Sequence, residues 1–363
     1  MTHLHEYSDP HLVQALAAGI RKKLGGRRPT FMEVCGTHTT AMFRHGLRNL
    51  FEDSVELLSG PGCPVCVTPA SYLDHAIAIA REHSITIATF GDMLKVPGSG
   101  SSLEREKARG CDVRIVYSPL DALPLAEGED GREVMFLGVG FETTAPAIAY
   151  AILEAERRGL AGFSVLSAHK RIPPALEMIV RDPDVHIDGF LCPGHVSVIT
   201  GSLAYERVAK EYGIPCVVTG FEPLDIMSGI HMLAAQYNEG RAEVEIAYTR
   251  AVRPEGNRKA LSLLSRVFKV EDSEWRGLGR IPESGFSIRD EYAHRDAAVR
   301  FPVEVGPAAE NPACRCGDVL AGKMKPPACP LYTRVCTPES PAGPCMVSSE
   351  GTCAAYYKYG GKV

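Results

Sequence analysis

The sequence predicts an α/β protein of two related parallel-sheet units, followed by a smaller third domain that is mostly helical and irregular. Three observations lead there. From about Thr30 to Ile230, short β-rich runs alternate with helical stretches, the pattern of parallel sheets covered by helices. Residues 54–98 and 186–229 repeat one order of features: strand, Gly/Pro-rich turn, helix, strand, turn. Beyond about residue 240 the alternation stops, and half of the twelve cysteines fall within residues 314–363.

The strand candidates are TFMEVC (30–35), SVELLS (54–59), ITIATF (85–90), DVRIVY (112–117), EVMFLGV (133–139), FSVLSA (163–168), HIDGFLC (186–192) and PCVVTG (215–220). They are short and rich in the branched and aromatic residues that suit a sheet. Helical segments such as SYLDHAIAIAREH and SLAYERVAKEYG lie between them. The repeat places the two units at 30–130 and 131–240, joined through the acidic AEGEDGRE. RPEGNRKALSLLSRVF then looks helical, and irregular sequence surrounds the only tryptophan, Trp275. Residues 241–363 form the third domain, ending in a cysteine-rich tail from 312. Residues 1–29 hold a helix, about 10–24, expected to pack on that domain.

Composition narrows the function. At 363 residues, with 45% hydrophobic and 23% charged content, the chain can bury a sizeable core. A net charge of −5 leaves no electrostatic footprint for nucleic acid. No window approaches the roughly 18 apolar residues of a membrane span. The start, MTHLHEYSDPHL, is polar and lacks the apolar stretch of a signal peptide. A cytoplasmic location is expected, where thiols stay reduced unless catalytic or metal-bound. Twelve cysteines there point to redox or metal chemistry more than to a disulfide framework.

Several turns carry chemistry-bearing residues. CGTHTT (35–40) follows the first strand, at the edge where open α/β sheets bind ligands. Cys35 and His38 can face one small ligand or metal there, or be a buried cysteine beside a capping turn. GPGCPVCVTPA (60–70) follows the second strand. Cys63 and Cys66 form a C-x-x-C pair, close enough for a disulfide. Thr68-Pro69 reads as an N-cap and first helical position, which puts Cys66 near a positive helix end that favours thiolate. A zinc knuckle is the competing reading, with Cys35 and His38 as its second pair. GVGFETTAP (138–146) and TGFEPLDI (219–226) share Gly-Phe-Glu, but neither is a nucleotide-binding glycine loop. Glu222 reads as an amide cap, and Glu142 as either a cap or a ligand contact. CPGHVS (192–197) can put Cys192 and His195 on the opposite wall of the same cleft, although a lone Cys-His pair on a turn is more often structural than a ligand set. Cys111 and Cys216 sit in apolar strand contexts, as core residues do.

In the tail, Cys329, Cys336, Cys345 and Cys353 are separated by six, eight and seven residues. The segment is rich in Pro, Gly and Ser and has little apolar sequence to hold itself together. Zinc usually takes thiolates in closer pairs. The wide spacing suits a [4Fe–4S] cluster held by loops, so the third domain is read as an iron–sulfur domain. Cys314 and Cys316 are reserve ligands.

Taken together, CGTH, GPGCPVC, GFETTAP, CPGH, GFEPLDI and CTPESPAGPCMVSSEGTCAAYYKYG resemble the hydrogenase maturation protein HypD family, over about residues 30–360. The resemblance implies two similar α/β domains and a third with a [4Fe–4S] cluster on Cys329, Cys336, Cys345 and Cys353. It implies that Cys35 holds iron with a thiolate from a HypC-type partner, and that Cys63 and Cys66 are the redox pair. It implies a HypE-type cyanide donor and assembly of the Fe(CN)2CO unit of [NiFe]-hydrogenases. On that basis the chain is an accessory scaffold with redox thiols rather than a conventional turnover enzyme. Cys35, His38, Cys63 and Cys66 are its expected reactive residues; Cys35, Glu142 and His195 are expected to contact the transient iron unit.

Overall fold

The computed structural model describes residues 6–127 and 132–360. The first residues of the polar N-terminus and the middle of the AEGEDGRE junction lie outside the described residues. Among the described residues eleven strands form three sheets. They are β1 (Thr30–Glu33), β2 (Glu56–Ser59), β3 (Thr86–Thr89), β4 (Val113–Ile115), β5 (Val134–Gly138) and β6 (Phe163–Ser167), then β7 (Gly189–Pro193), β8 (Cys216–Thr219), β9 (Val244–Ile246), β10 (Phe268–Trp275) and β11 (Gly279–Ile288). One sheet is wholly parallel, in the order β2-β1-β7-β8-β9. The second is also parallel, in the order β4-β3-β5-β6. Central strands β3, β5, β7 and β8 are buried at every residue, because helices cover both faces. The edge strand β4 buries only Val113.

The eight strand candidates all form. The units are not contiguous, however. The chain lays down β1 and β2, leaves to build the second sheet from β3 to β6, and returns with β7 to β9. The boundary near residue 130 therefore falls inside the second sheet rather than between units. The apparent repeat misled for a physical reason. β7 and β8 are hydrogen-bonded neighbours, whereas β2 and β3 belong to different sheets. Strand–helix alternation reports local structure and is blind to which sheet a strand joins.

Helix α1 (Pro10–Leu24) starts at Asp9, whose carboxylate accepts the amides of His11 and Leu12, and ends at the left-handed Gly25. Its buried residues Val13, Ala17, Ile20 and Leu24 recur at helical spacing. They pack with Phe31, Ile226, Ile230 and Leu233, on the first sheet and the helix Pro223–Glu239. The expected packing on the third domain is thus corrected.

Residues 241–363 are likewise no separate, mostly helical domain. β9 completes the first sheet. β10 and β11 form a long antiparallel hairpin, bulged between Glu271 and Ser273, which the sequence reading missed. The hairpin docks on the second unit: the Arg171 amide donates to Ser284 O at 2.8 Å and the Phe286 amide to His169 O at 3.2 Å. Trp275 is fully buried there, donating Nε1–H to Ser284 Oγ at 2.8 Å. The tail from 312 onward returns to the carboxyl edge of the first sheet.

Candidate thiol and metal site

β1 and β2 are adjacent and parallel, so their carboxyl ends emerge side by side. Cys35 caps helix α2 (Gly36–Arg44), and Cys63 caps the short α3 (Pro64–Val67). The two turns are clamped together, with the Gly36 amide donating to Gly62 O at 3.1 Å. A Cβ on Gly62 would overlap the backbone of Cys35. Gly62→Ala should therefore push the two turns apart and cost about 1–3 kcal/mol, the usual penalty of overpacking. Urea denaturation checks this; wild-type stability would show that the contact relaxes freely.

Cys63 and Cys66 are joined as a disulfide, and both are buried. Cys63, not Cys66, is the residue at the helix start, and the following helix α4 (Ala70–His83) is capped by Pro69 rather than Thr68. The sequence expectation of a helix-end thiolate at Cys66 is corrected accordingly.

Cys35 is half-buried. Burial, reinforced by the Glu350 charge, pushes its thiol up to about 12, against the opposing pull of the His38 and Thr37 amides. Its resting form is the protonated thiol. His38 commits one ring nitrogen to the backbone and leaves Nδ1 without a partner. It is buried, its Nε2–H donates to Gly220 O at 2.9 Å, and its ring lies 4.9 Å from that of Phe221. Burial lowers its pKa to about 4, so it is neutral. His195 stacks on the same Phe221 at 4.0 Å and is exposed. Phe221 thus joins CGTH to CPGH. Cys192 does not line the cleft: it is fully buried beside Cys216 in the first sheet. Cys216 is buried as expected, whereas Cys111 is half-buried.

Glu142 is buried elsewhere. It accepts the Ile172 amide at 3.0 Å, leaves Oε2 without a partner, and is raised to about 7 by burial. It lines a cavity of about 400 Å³ with Arg171, Phe268 and Arg289, to which no cysteine contributes.

In the tail, the sulfurs of Cys316, Cys345 and Cys353 lie within 4.8 Å of one another. The neighbouring sulfurs of Cys316 and Cys353 pull Cys345 well below the ordinary thiol value despite its burial. Cys314 Sγ is 3.3 Å from Cys316 Sγ. Cys336 is buried, accepting the Ala342 amide at 3.3 Å, and its pKa is raised by burial first and then by the sulfurs of Cys316 and Cys314. Cys329 is half-buried, in the turn after Pro326–Ala328. Of the four cysteines chosen by spacing, Cys345 and Cys353 join the group, together with the reserve ligand Cys316. The cause is the unforeseen hairpin. Its turn residue Gly277 packs backbone to backbone on Gly317, which seats Cys316 beside the group. Three clustered soft sulfurs, with two more cysteines beside them, fit a thiolate-bound metal.

One strap, Pro344–Gly351, touches the disulfide, the thiol group and helix α2. Pro344 O lies 3.9 Å from Cys66 Sγ. The next residue, Cys345, belongs to the metal-capable group. Ser348 donates to Asp92 at 3.0 Å. Glu350 accepts the Thr37 hydroxyl at 2.6 Å, and the Thr40 hydroxyl donates to Ser349 O at 3.2 Å, both from α2. Sequence reasoning missed Glu350, Phe221 and Thr37. The only available signal was that all three lie inside segments already singled out.

Fold and site together define an α/β protein of two parallel sheets that gathers a disulfide, a single cysteine and a metal-capable thiol group along one sheet edge. Residues 11–360 match the family model described as HypD, hydrogenase formation hypA family. The hydrogenase maturation factor HypD of Cupriavidus necator is 47% identical over 369 residues, covering 99% of this chain and 97% of that protein. The hydrogenase expression/formation protein HupD of Azotobacter chroococcum is 46% identical, covering 99% and 97%. HypD of Escherichia coli is 43% identical, covering 99% and 98%. The chain belongs to the HypD family of hydrogenase maturation factors. Among the described residues no helix is long and apolar enough to cross a membrane.

Proposed function

We propose that this chain is a redox-active scaffold in the cytoplasm on which the Fe(CN)2CO unit of [NiFe]-hydrogenase is assembled with a HypC-type chaperone and a HypE-type cyanide donor. The observation that carries this reading is the Pro344–Gly351 strap, which places the disulfide, the thiol group and the Cys35 helix in one contact network. The iron unit is substrate. Cys35 gives up its proton and holds iron through sulfur, a soft donor suited to low-spin iron with cyanide and carbonyl ligands. His195 stands exposed against Phe221, and His38 holds the Gly220–Phe221 turn from the other side of that ring. Glu142 serves the second unit rather than the iron.

Cys316, Cys345 and Cys353, with Cys336 as the fourth sulfur, would hold a [4Fe–4S] cluster. When bound, such a cluster supplies one-electron transfer. Cys63 and Cys66 alternate between disulfide and dithiol, taking up two electrons and two protons. Burial of both sulfurs argues against a stand-alone oxidoreductase, since no substrate disulfide reaches them in this conformation.

Thiol counting tests the redox assignment. Alkylation in denaturant should leave Cys63 and Cys66 unmodified in the oxidised protein, and mild reduction beforehand should add those two sites alone. Alkylation of both without reduction would overturn it. Infrared spectroscopy of the protein co-expressed with its partners tests the scaffold role through iron-bound cyanide and carbonyl bands.

A further inference from the structure

A second opening lies at the carboxyl end of β6, the ligand-binding edge of the other parallel sheet. It is a cavity of about 530 Å³, walled by the β6 turn, the start of α4 and the hairpin strand β10. None of the cysteines or cleft histidines discussed above lines it. Its floor is Lys170, only 3% exposed. The Lys170 ammonium donates to Ser273 Oγ at 2.5 Å and has no carboxylate within ion-pair distance among the described residues. A lysine so deeply buried is costly to keep charged without a counter-charge, and burial lowers its pKa to about 8.

The neighbouring His169 lines the same cavity. Ser167 Oγ donates to Phe286 O at 2.9 Å, so the 3.0 Å contact between Ser167 Oγ and His169 Nδ1 has the imidazole as donor. That leaves Nε2 buried and without a partner. The rim carries Glu271, Asp272 and Glu274, all exposed; Asp272 is engaged by the Glu283 amide and Arg280, whereas Glu271 and Glu274 are felt electrostatically by Lys170. One buried cation beneath these carboxylates gives a mouth that repels simple anions. A simple cation would meet the lysine.

We propose that this cavity binds a small zwitterion of the amino-acid type, its carboxylate on Lys170 and its ammonium between Glu271 and Glu274. The carboxylate supplies the missing counter-charge and fills the spare N–H donors of the lysine. The ammonium offsets the charges of Glu271 and Glu274. The volume admits a side chain beyond the smallest amino acid. The site is independent of the scaffold reading, since it shares no residue with the thiol site.

Thermal shift and calorimetric titration of the full-length protein test it, with the common amino acids, acetate and methylammonium each at about 20 mM. At least one amino acid should raise the melting temperature, with acetate and methylammonium inactive. Lys170→Met and the Glu271→Gln/Glu274→Gln double variant should each weaken binding by about tenfold or more. The double variant changes exposed residues only, so it keeps the test valid if Lys170→Met fails to fold. Failure of every amino acid would overturn the proposal. So would acetate binding as tightly as the best amino acid, or unchanged affinity in the double variant.

Discussion

Cys353→Ala protein, purified anaerobically, should lose its tail iron and the broad visible absorption of a thiolate-bound cluster. Cys316→Ala should do the same, and Cys329→Ala should keep both. The contrast follows from geometry, since Cys316 and Cys353 share the group with Cys345 and Cys329 does not. The effect on folding should be large. Residues 302–315 carry no regular element, and the helices beyond them are short. A metal held by the folded tail stabilises it by an amount that rises with the logarithm of its affinity. The metal-free variants should therefore be cut within the tail by protease long before the parallel sheets open. Iron and sulfide analysis with limited proteolysis checks this. Full iron in Cys316→Ala together with loss in Cys329→Ala would restore the ligand set chosen by spacing alone.

Much of the fold was legible because parallel strands write themselves plainly. EVMFLGV and PCVVTG are continuous apolar runs, and such runs end up covered on both faces. What the runs could not reveal was their partners. β2 and β3 stand beside each other in the chain and in different sheets in space. The hairpin was hidden for the opposite reason. FKVEDSEW places charged residues along a strand whose outer positions face water, so it has none of the apolar weight of the others. Once that hairpin was missed, everything it positions was missed with it.

The site divides along the same line. Cys35, Cys63 and Cys66 were found because each follows a strand, and the ends of parallel strands are where ligands meet such sheets. Cys316 was demoted because ligand spacing was judged along the chain, whereas sulfurs gather by tertiary contact. Glu350 carried no signal of its own: a glutamate in a loop is ordinary until its partner, Thr37, is known. His38 and Cys192 show the converse. Both occupy turns that looked functional, yet His38 supports Gly220 and Cys192 fills the core beside Cys216.

Cys35→Ser should abolish the iron-bound cyanide and carbonyl infrared bands of the complex with the HypC-type partner, and hydrogenase maturation with them. The substitution replaces one sulfur by oxygen at the cap of α2. Serine is a preferred N-cap, so the helix start should hold or tighten. Cys35 does not belong to the tail thiol group, so tail iron should remain at the wild-type level. The lost property is affinity for the iron unit. A serine hydroxyl is a poorer, harder donor than thiolate and gives up its proton far less readily. Circular dichroism and tail-iron analysis separate this loss from misfolding. Bands of wild-type intensity in Cys35→Ser would make Cys35 structural and move the iron to Cys63 or Cys66. Once reduced, those two offer alternative thiols on this sheet edge, where the Gly36–Gly62 clamp joins their turn to that of Cys35.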